Sequence, residues 1–207
     1  MDEARKVREF WFGKQPATPE LLTRRMQMWF GTDLSPDLVQ ELDNTIHAQF
    51  EPLVRQAIDG ELMAWADGPR RRMSLILLLD QFPRNIYRGT ARVYAGDEQA
   101  LALALSGMNS GADAALDTVQ RLFFYMPLQH SEARDVQDES VAAYRRLLLE
   151  APDPLKATFK SCLDYAERHR DVVAKFGRFP HRNRILGRVS TVDELAYLKN
   201  SGDDFGQ

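Results

Sequence analysis

The chain contains a single cysteine, Cys162, in 207 residues. One thiol excludes an internal disulfide and a cysteine-based zinc site. Cys162 falls on an apolar helical stripe with Phe159, Leu163 and Ala166, so it reads as a small core residue rather than a nucleophile. No apolar run approaches the roughly 20 residues a spanning helix needs, and the greasiest stretch, Met73 to Leu79, stops at Asp80. The opening residues, Met1-Asp2-Glu3-Ala4-Arg5-Lys6, lack the basic-then-apolar order of a secretory signal. These absences lead us to expect a reduced, cytoplasmic protein without membrane contact. His47, His130, His169 and His181 never fall three or four residues apart, so no metal-ligand spacing exists and neither a metal nor a cofactor is expected. A P-loop and a dinucleotide fingerprint are also missing. No linker is rich enough in Pro, Gly or Ser to separate domains, which points to one domain over residues 1–207.

Strand alternation is lacking too, whereas helical periodicity runs through nearly every segment. Thr18-Pro19-Glu20 and Ser35-Pro36-Asp37 each place a capping residue before a helix-starting proline. The second opens a long helix whose stripe reads Leu38, Leu42, Ile46, Phe50, Leu53 and Ala57. Arg70 to Phe82 is apolar nearly all round in its second half and belongs at the centre of the domain. Asp113 is expected to cap a helix through Tyr125, and Ser131 to cap the next. Asp153-Pro154 opens what reads as the longest helix, ended by Gly177. Thr191-Val192-Asp193-Glu194 forms a capping box for a last helix, and the tail after Gly202 is expected to be loose. About nine helices with short connections make an all-α domain, with stacked antiparallel hairpins as the natural architecture.

One phrase occurs twice. Residues 80–89 read Asp80-Gln81-Phe82-Pro83-Arg84-Asn85-Ile86-Tyr87-Arg88-Gly89, and residues 178–188 read Arg178-Phe179-Pro180-His181-Arg182-Asn183-Arg184-Ile185-Leu186-Gly187-Arg188. In each, Phe-Pro breaks an apolar helix and Arg and Asn follow. Basic charge gathers around both. Residues 70–92 hold six arginines against one aspartate, and residues 165–190 hold seven Lys/Arg against two acids, although the whole chain has a net charge of −3. That asymmetry favours an anionic ligand over a generally basic surface, the alternative being arginines that pair with acids elsewhere in the fold.

Polar groups also interrupt apolar faces. Asp80 follows five apolar residues, and an ionised carboxylate buried there needs a cation or several donors. His169 and Arg170 sit on the buried face of the long C-terminal helix. A third segment, Tyr125-Met126-Pro127-Leu128-Gln129-His130-Ser131-Glu132, repeats the construction of an aromatic helix end, a proline and then polar groups. Ser131 also reads as a plain N-cap, Glu132 as a partner of the helix dipole, and His130 and His169 as satisfied core histidines. Trp11, Trp29 and Trp65 read as core, with one lining a pocket mouth. Three convergent polar segments point to a single pocket.

These segments, with Val7-Arg8-Glu9-Phe10-Trp11-Phe12-Gly13, resemble the domain-of-unknown-function 924 family over almost the whole chain. The resemblance implies an all-α fold similar to tetratricopeptide-repeat helical hairpins and implies no activity. The family commonly has Glu where Gln129 stands, which places a catalytic carboxylate there in doubt.

Three functions fit. In the first, the pocket takes a small anionic molecule or an acidic peptide end. Arg84, Arg88, Arg178, Arg182 and Arg188 grip phosphate or carboxylate there, Asn85 and Asn183 fix orientation, and Gln81, Tyr125, Gln129, Ser131 and His181 add polar contacts. In the second, an enzyme uses His130 or His169 as general base, oriented by Asp80 or Glu132. The third is RNA contact, weaker for an acidic chain whose basic segments lack aromatic interleaving. A tetratricopeptide-like fold also raises protein or peptide binding, but such binders present ligand residues along helix faces rather than at helix ends.

Overall fold

The computed structural model describes residues 2–14, 18–30 and 34–201. The tail expected to be loose lies outside the described residues. Among those residues the fold is all-α, with no strand. The longer helices are α1 (Glu3–Phe12), α2 (Pro19–Phe30), α3 (Pro36–Ile58), α4 (Pro69–Ile76), α6 (Asp97–Asn109), α7 (Thr118–Phe124), α9 (Arg134–Glu150), α10 (Lys156–Phe176) and α11 (Val192–Ser201). Two short ones, α5 (Phe82–Ile86) and α8 (Met126–Gln129), sit between them. No helix among the described residues is long and apolar enough to cross a membrane.

Several caps stand where the sequence places them. Asp2 accepts from the Ala4 N–H, Thr18 from Leu21 and Ser35 from Leu38. Thr191 and Glu194 form the reciprocal capping box, at 2.7 and 3.2 Å. Others move. Asp117 rather than Asp113 caps α7, through the Gln120 N–H at 2.9 Å. Helix α9 starts at Arg134, so Ser131 is not its cap, and its hydroxyl accepts from the Ala133 N–H instead. The longest helix is α3, with 23 residues against 21 in α10.

The sharpest departure concerns the first Phe-Pro. It does not end the helix. Residues 77–81 form a π-turn that joins α4 to α5, with the Phe82 N–H bonded to the Leu77 carbonyl five residues back. A proline in an α-helix lacks a donor, and its ring collides with the carbonyl four residues earlier. The widened turn sets that carbonyl, on Leu79, aside, and Gly96 packs directly on it. A Cβ on Gly96 would lie 2.3 Å from the Leu79 oxygen, so only glycine fits. Such π-turns displace a residue from helical register; here the displaced segment carries Asp80.

The main core gathers α1, α3, α4, the π-turn and α6 to α10 around Trp11, Phe50, Phe82, Phe123 and Phe124, all of them buried. Helices α9 and α10 make the most extensive pairing. A satellite cluster of Val172, Val173 and Phe179, with Phe176 and Tyr197, closes the C-terminal end. Trp11 and Trp65 are core residues as expected, while Trp29 stacks on Trp11 and donates to its carbonyl at 3.1 Å.

Candidate functional site

Asp80 is fully buried in the π-turn. Three polar groups converge on it. The His130 Nδ1 lies 2.6 Å from Oδ1, the Gln81 amide donates to Oδ2 at 2.5 Å, and the Arg84 guanidinium stands 3.4 Å from Oδ1 and also donates to the Asp80 carbonyl. Burial alone would raise this carboxyl, but Arg84, His130 and Gln81 outweigh it and hold it well below the usual carboxylate range. Asp80 is therefore ionised, and the Nδ1 facing it carries a proton.

His130 ends the short helix α8. Its own carbonyl accepts from the Arg182 Nη1 at 3.0 Å. Burial first, then the Arg84 charge, lower its basicity against the opposing pull of Asp80, so the imidazole is neutral near pH 7. With Nδ1–H on Asp80, Nε2 is the basic nitrogen.

His169, on α10, has its ring centre 6.4 Å from that of His130. Its Nδ1 donates to the Tyr165 carbonyl at 2.8 Å, because a carbonyl can only accept. Burial lowers its pKa to about 3 against that hydrogen bond. Both imidazoles line one cavity of about 540 Å³, in the range of small-molecule sites.

The cavity has two characters. Its floor holds Gln81, Arg84, Asn85, Arg88, Gln129, His130, Tyr144 and His169, while Met26, Met28, Trp29 and Phe30 of α2, with Leu34, Val39 and Leu42, form an apolar wall. Cys162 also lines it, but burial pushes the thiol up to about 12, which leaves it protonated and poorly nucleophilic. Gln129, a neutral amide, lines the cavity beside Tyr144, whose hydroxyl donates to the Leu122 carbonyl at 2.7 Å.

The three polar segments do converge, but the second phrase is a buttress rather than a wall. Arg178 binds Glu194 through two bonds of 2.6 and 2.8 Å. Arg188 binds Glu132 at 2.6 and 3.0 Å and the Asn183 amide oxygen at 2.9 Å, and Asn183 in turn donates to Glu194 and Ser190. Glu132 also accepts from the Phe179 N–H, so it braces this loop and not a histidine. Arg182 is buried between the Tyr94 and Phe179 rings, each 4.6 Å away, and 3.7 Å from Asp97. Of these residues, together with His181, Ser131 and Tyr125, none lines the cavity. The His181 ring packs 5.5 Å from Phe179. The Tyr125 hydroxyl donates to Asp113 at 2.5 Å, and burial with that bond raises it to about 12.

The expectation of an arginine-rich grip is corrected accordingly. Arg84 is matched by Asp80 and, at 3.0 and 3.1 Å, by Asp97. Arg88 is matched by Asp43 at 2.8 and 3.2 Å, and Asn85 donates to the same carboxylate at 2.8 Å. Guanidinium groups taken out of water need such partners, and acids distant in sequence supply them. Arg88 differs in one respect: its side chain is 42% exposed and its Nη1 has no partner among the described residues.

Sequence reasoning missed Asp43, Asp97 and Gln137. The fully buried Gln137 amide donates to the carbonyls of Gln129 and Ser131 at 2.7 and 2.6 Å, which fixes the turn that presents His130. Its one signal was a polar residue on a buried helix stripe. Among the described residues no group of three or more His, Cys, Asp or Glu is arranged to hold a metal ion.

Fold and site together define an all-helical protein with a buried Asp80–His130 hydrogen bond at an apolar-walled cavity that His169 also lines. A family model described as bacterial protein of unknown function (DUF924) matches residues 7–202, and the chain belongs to that family. A solved protein of unknown function from Agrobacterium tumefaciens is 35% identical, with a TM-score of 0.77 over 95% of this chain and 97% of that one. A search of curated proteins finds no match.

Proposed function

We propose that the cavity binds a small molecule with an apolar body and a carboxylate or phosphate end, and that His130 acts on it as a general base oriented by Asp80. The observation that carries this reading is the 2.6 Å bond between a fully buried carboxylate and a histidine that lines a cavity. A structural Asp–His pair needs no adjoining space. The apolar wall from α2 suits the body of the ligand, and the open Nη1 of Arg88 suits its charged end. In the reaction, Nε2 removes a proton from a bound water as the oxygen of that water bonds to the acyl or phosphoryl centre, and Asp80 stabilises the imidazolium that forms. The bond from that centre to the leaving oxygen then breaks, and the imidazolium returns its proton to the departing oxygen. The protonated Cys162 thiol argues against a thiolate nucleophile.

The test uses p-nitrophenyl butyrate as substrate and octanoate as ligand, the latter followed through Trp29 fluorescence. The reading expects octanoate to alter Trp29 emission in wild type and His130→Gln alike, and to bind more weakly in Arg88→Gln. Ester hydrolysis should fall by about 100-fold or more in His130→Gln. Equal hydrolysis by wild type and His130→Gln would contradict the catalytic half. No response of Trp29 to octanoate would contradict the binding half.

A further inference from the structure

A second depression, about 740 Å³, lies between α1, the start of α4 and residues 114–120. Four cations line it: Arg5, Arg8, Lys14 and Arg70. The acids beside them are already engaged. Glu9 pairs with Arg5 at 2.7 Å, and Asp117 caps α7. Arg70 and Lys14 side chains have no hydrogen bond or ion pair among the described residues.

Arg8 is the telling residue. One of its nitrogens, Nη1, is fixed by three oxygens: the Arg70 carbonyl at 2.8 Å, the Ser74 hydroxyl at 2.8 Å and the Ala4 carbonyl at 3.1 Å. No carboxylate touches it, and Nε and Nη2 donate to nothing among the described residues. Burial works against its charge and outweighs the attraction of Asp2, and repulsion from Arg70 and Arg5 adds to it. A half-buried guanidinium held rigid with no carboxylate in contact gains from an anion that completes it. The rigid fork with two open donors matches a phosphate oxygen pair.

We propose that this cleft is a second ligand site, one that binds the phosphate group of a soluble phosphoester, with Arg8 as the fixed donor and Arg70 and Lys14 closing over the outer oxygens. A membrane surface is disfavoured because none of the exposed large apolar side chains, Phe30, Leu38, Met63 and Leu149 among them, lines the cleft. The inference does not rest on the Asp80–His130 reading, which concerns a different cavity.

The test is calorimetric titration of the full chain with inorganic phosphate and with pyrophosphate at low salt. Arg70→Gln and Lys14→Gln remove exposed side chains that hold no hydrogen bond or ion pair among the described residues, so both variants should keep the wild-type melting temperature. Each should weaken pyrophosphate binding about tenfold, the loss of one charge-assisted contact, and Arg88→Gln should leave it unchanged. No binding by wild type, or equal binding by the Arg70→Gln, Lys14→Gln double variant, would overturn the proposal. Loss in Arg88→Gln alone would assign the phosphate to the other cavity and equally overturn it. Retention on phosphatidic acid vesicles that depends on Arg70 would replace the soluble ligand with a lipid headgroup and overturn the assignment as stated.

Discussion

Asp80 and His130 stand 50 residues apart in sequence and 2.6 Å apart in space, the carboxylate wholly buried and the imidazole at the edge of a cavity. Two irregularities of the backbone bring them together. A π-turn carries Asp80, and a four-residue helix cut off by Met126-Pro127 carries His130.

Removing the carboxylate leaves Arg84 short of one partner and His130 without an acceptor. Asp80→Ala should therefore cost about 3–5 kcal/mol, the usual consequence of breaking a buried charge pair from one side. Asp80→Asn keeps an acceptor and should cost less. Urea denaturation of the two variants checks the order.

The close approach of Gly96 to Leu79 gives a prediction remote from any ligand. Gly96→Ala adds a methyl group 2.3 Å from the Leu79 oxygen, against backbone that has no room to retreat. A loss of about 1–3 kcal/mol or more is expected. A melting temperature equal to wild type would show that the π-turn is not held as described.

The buttress makes the opposite separation. Glu132→Gln strips Arg188 of its bidentate partner and the Phe179 N–H of a charged acceptor. We expect about 1–3 kcal/mol of destabilisation with octanoate affinity unchanged, measured by denaturation and fluorescence on the same samples.

The buried histidines set a pH dependence. His169 has a folded pKa of about 3, below the unfolded value of 6.5, and burial lowers His130 as well. The unfolded chain therefore binds more protons than the folded one below pH 6.5. Stability from His169 is full above that pH and is lost as pH falls toward 3, at up to about 1.4 kcal/mol per pH unit. Between about pH 6.5 and 4.5, before carboxylates contribute, His169→Gln should flatten the slope by about one proton. Denaturant midpoints across that window read it.

Much of this was readable from residues alone, because helices announce themselves by caps and stripes. Ser35-Pro36, Thr18-Pro19 and the Thr191–Glu194 box act within four residues of themselves, so local chemistry decides them. The segments of the site were readable for a related reason: Asp80 and His169 are polar groups on faces otherwise apolar. What sequence could not assign was which arginine meets which acid. Arg188 with Glu132 and Arg88 with Asp43 are 56 and 45 residues apart, and pairing at that range follows from packing. The same applies to Phe82-Pro83, which reads as a helix break until the π-turn and Gly96 provide room for the displaced carbonyl.

The proposed chemistry depends on one imidazole, that of His130. Long-range ¹H–¹⁵N correlation spectra of histidine-labelled protein, recorded as pH is lowered, report its tautomer and its titration directly. His130 is expected as the Nδ1–H tautomer at pH 7, with a low-field proton shared with Asp80, and as a group that titrates below 6.5. An Nε2–H tautomer, or a His130 charged at pH 7, would contradict it, because Nε2 would then have no lone pair to present to the cavity.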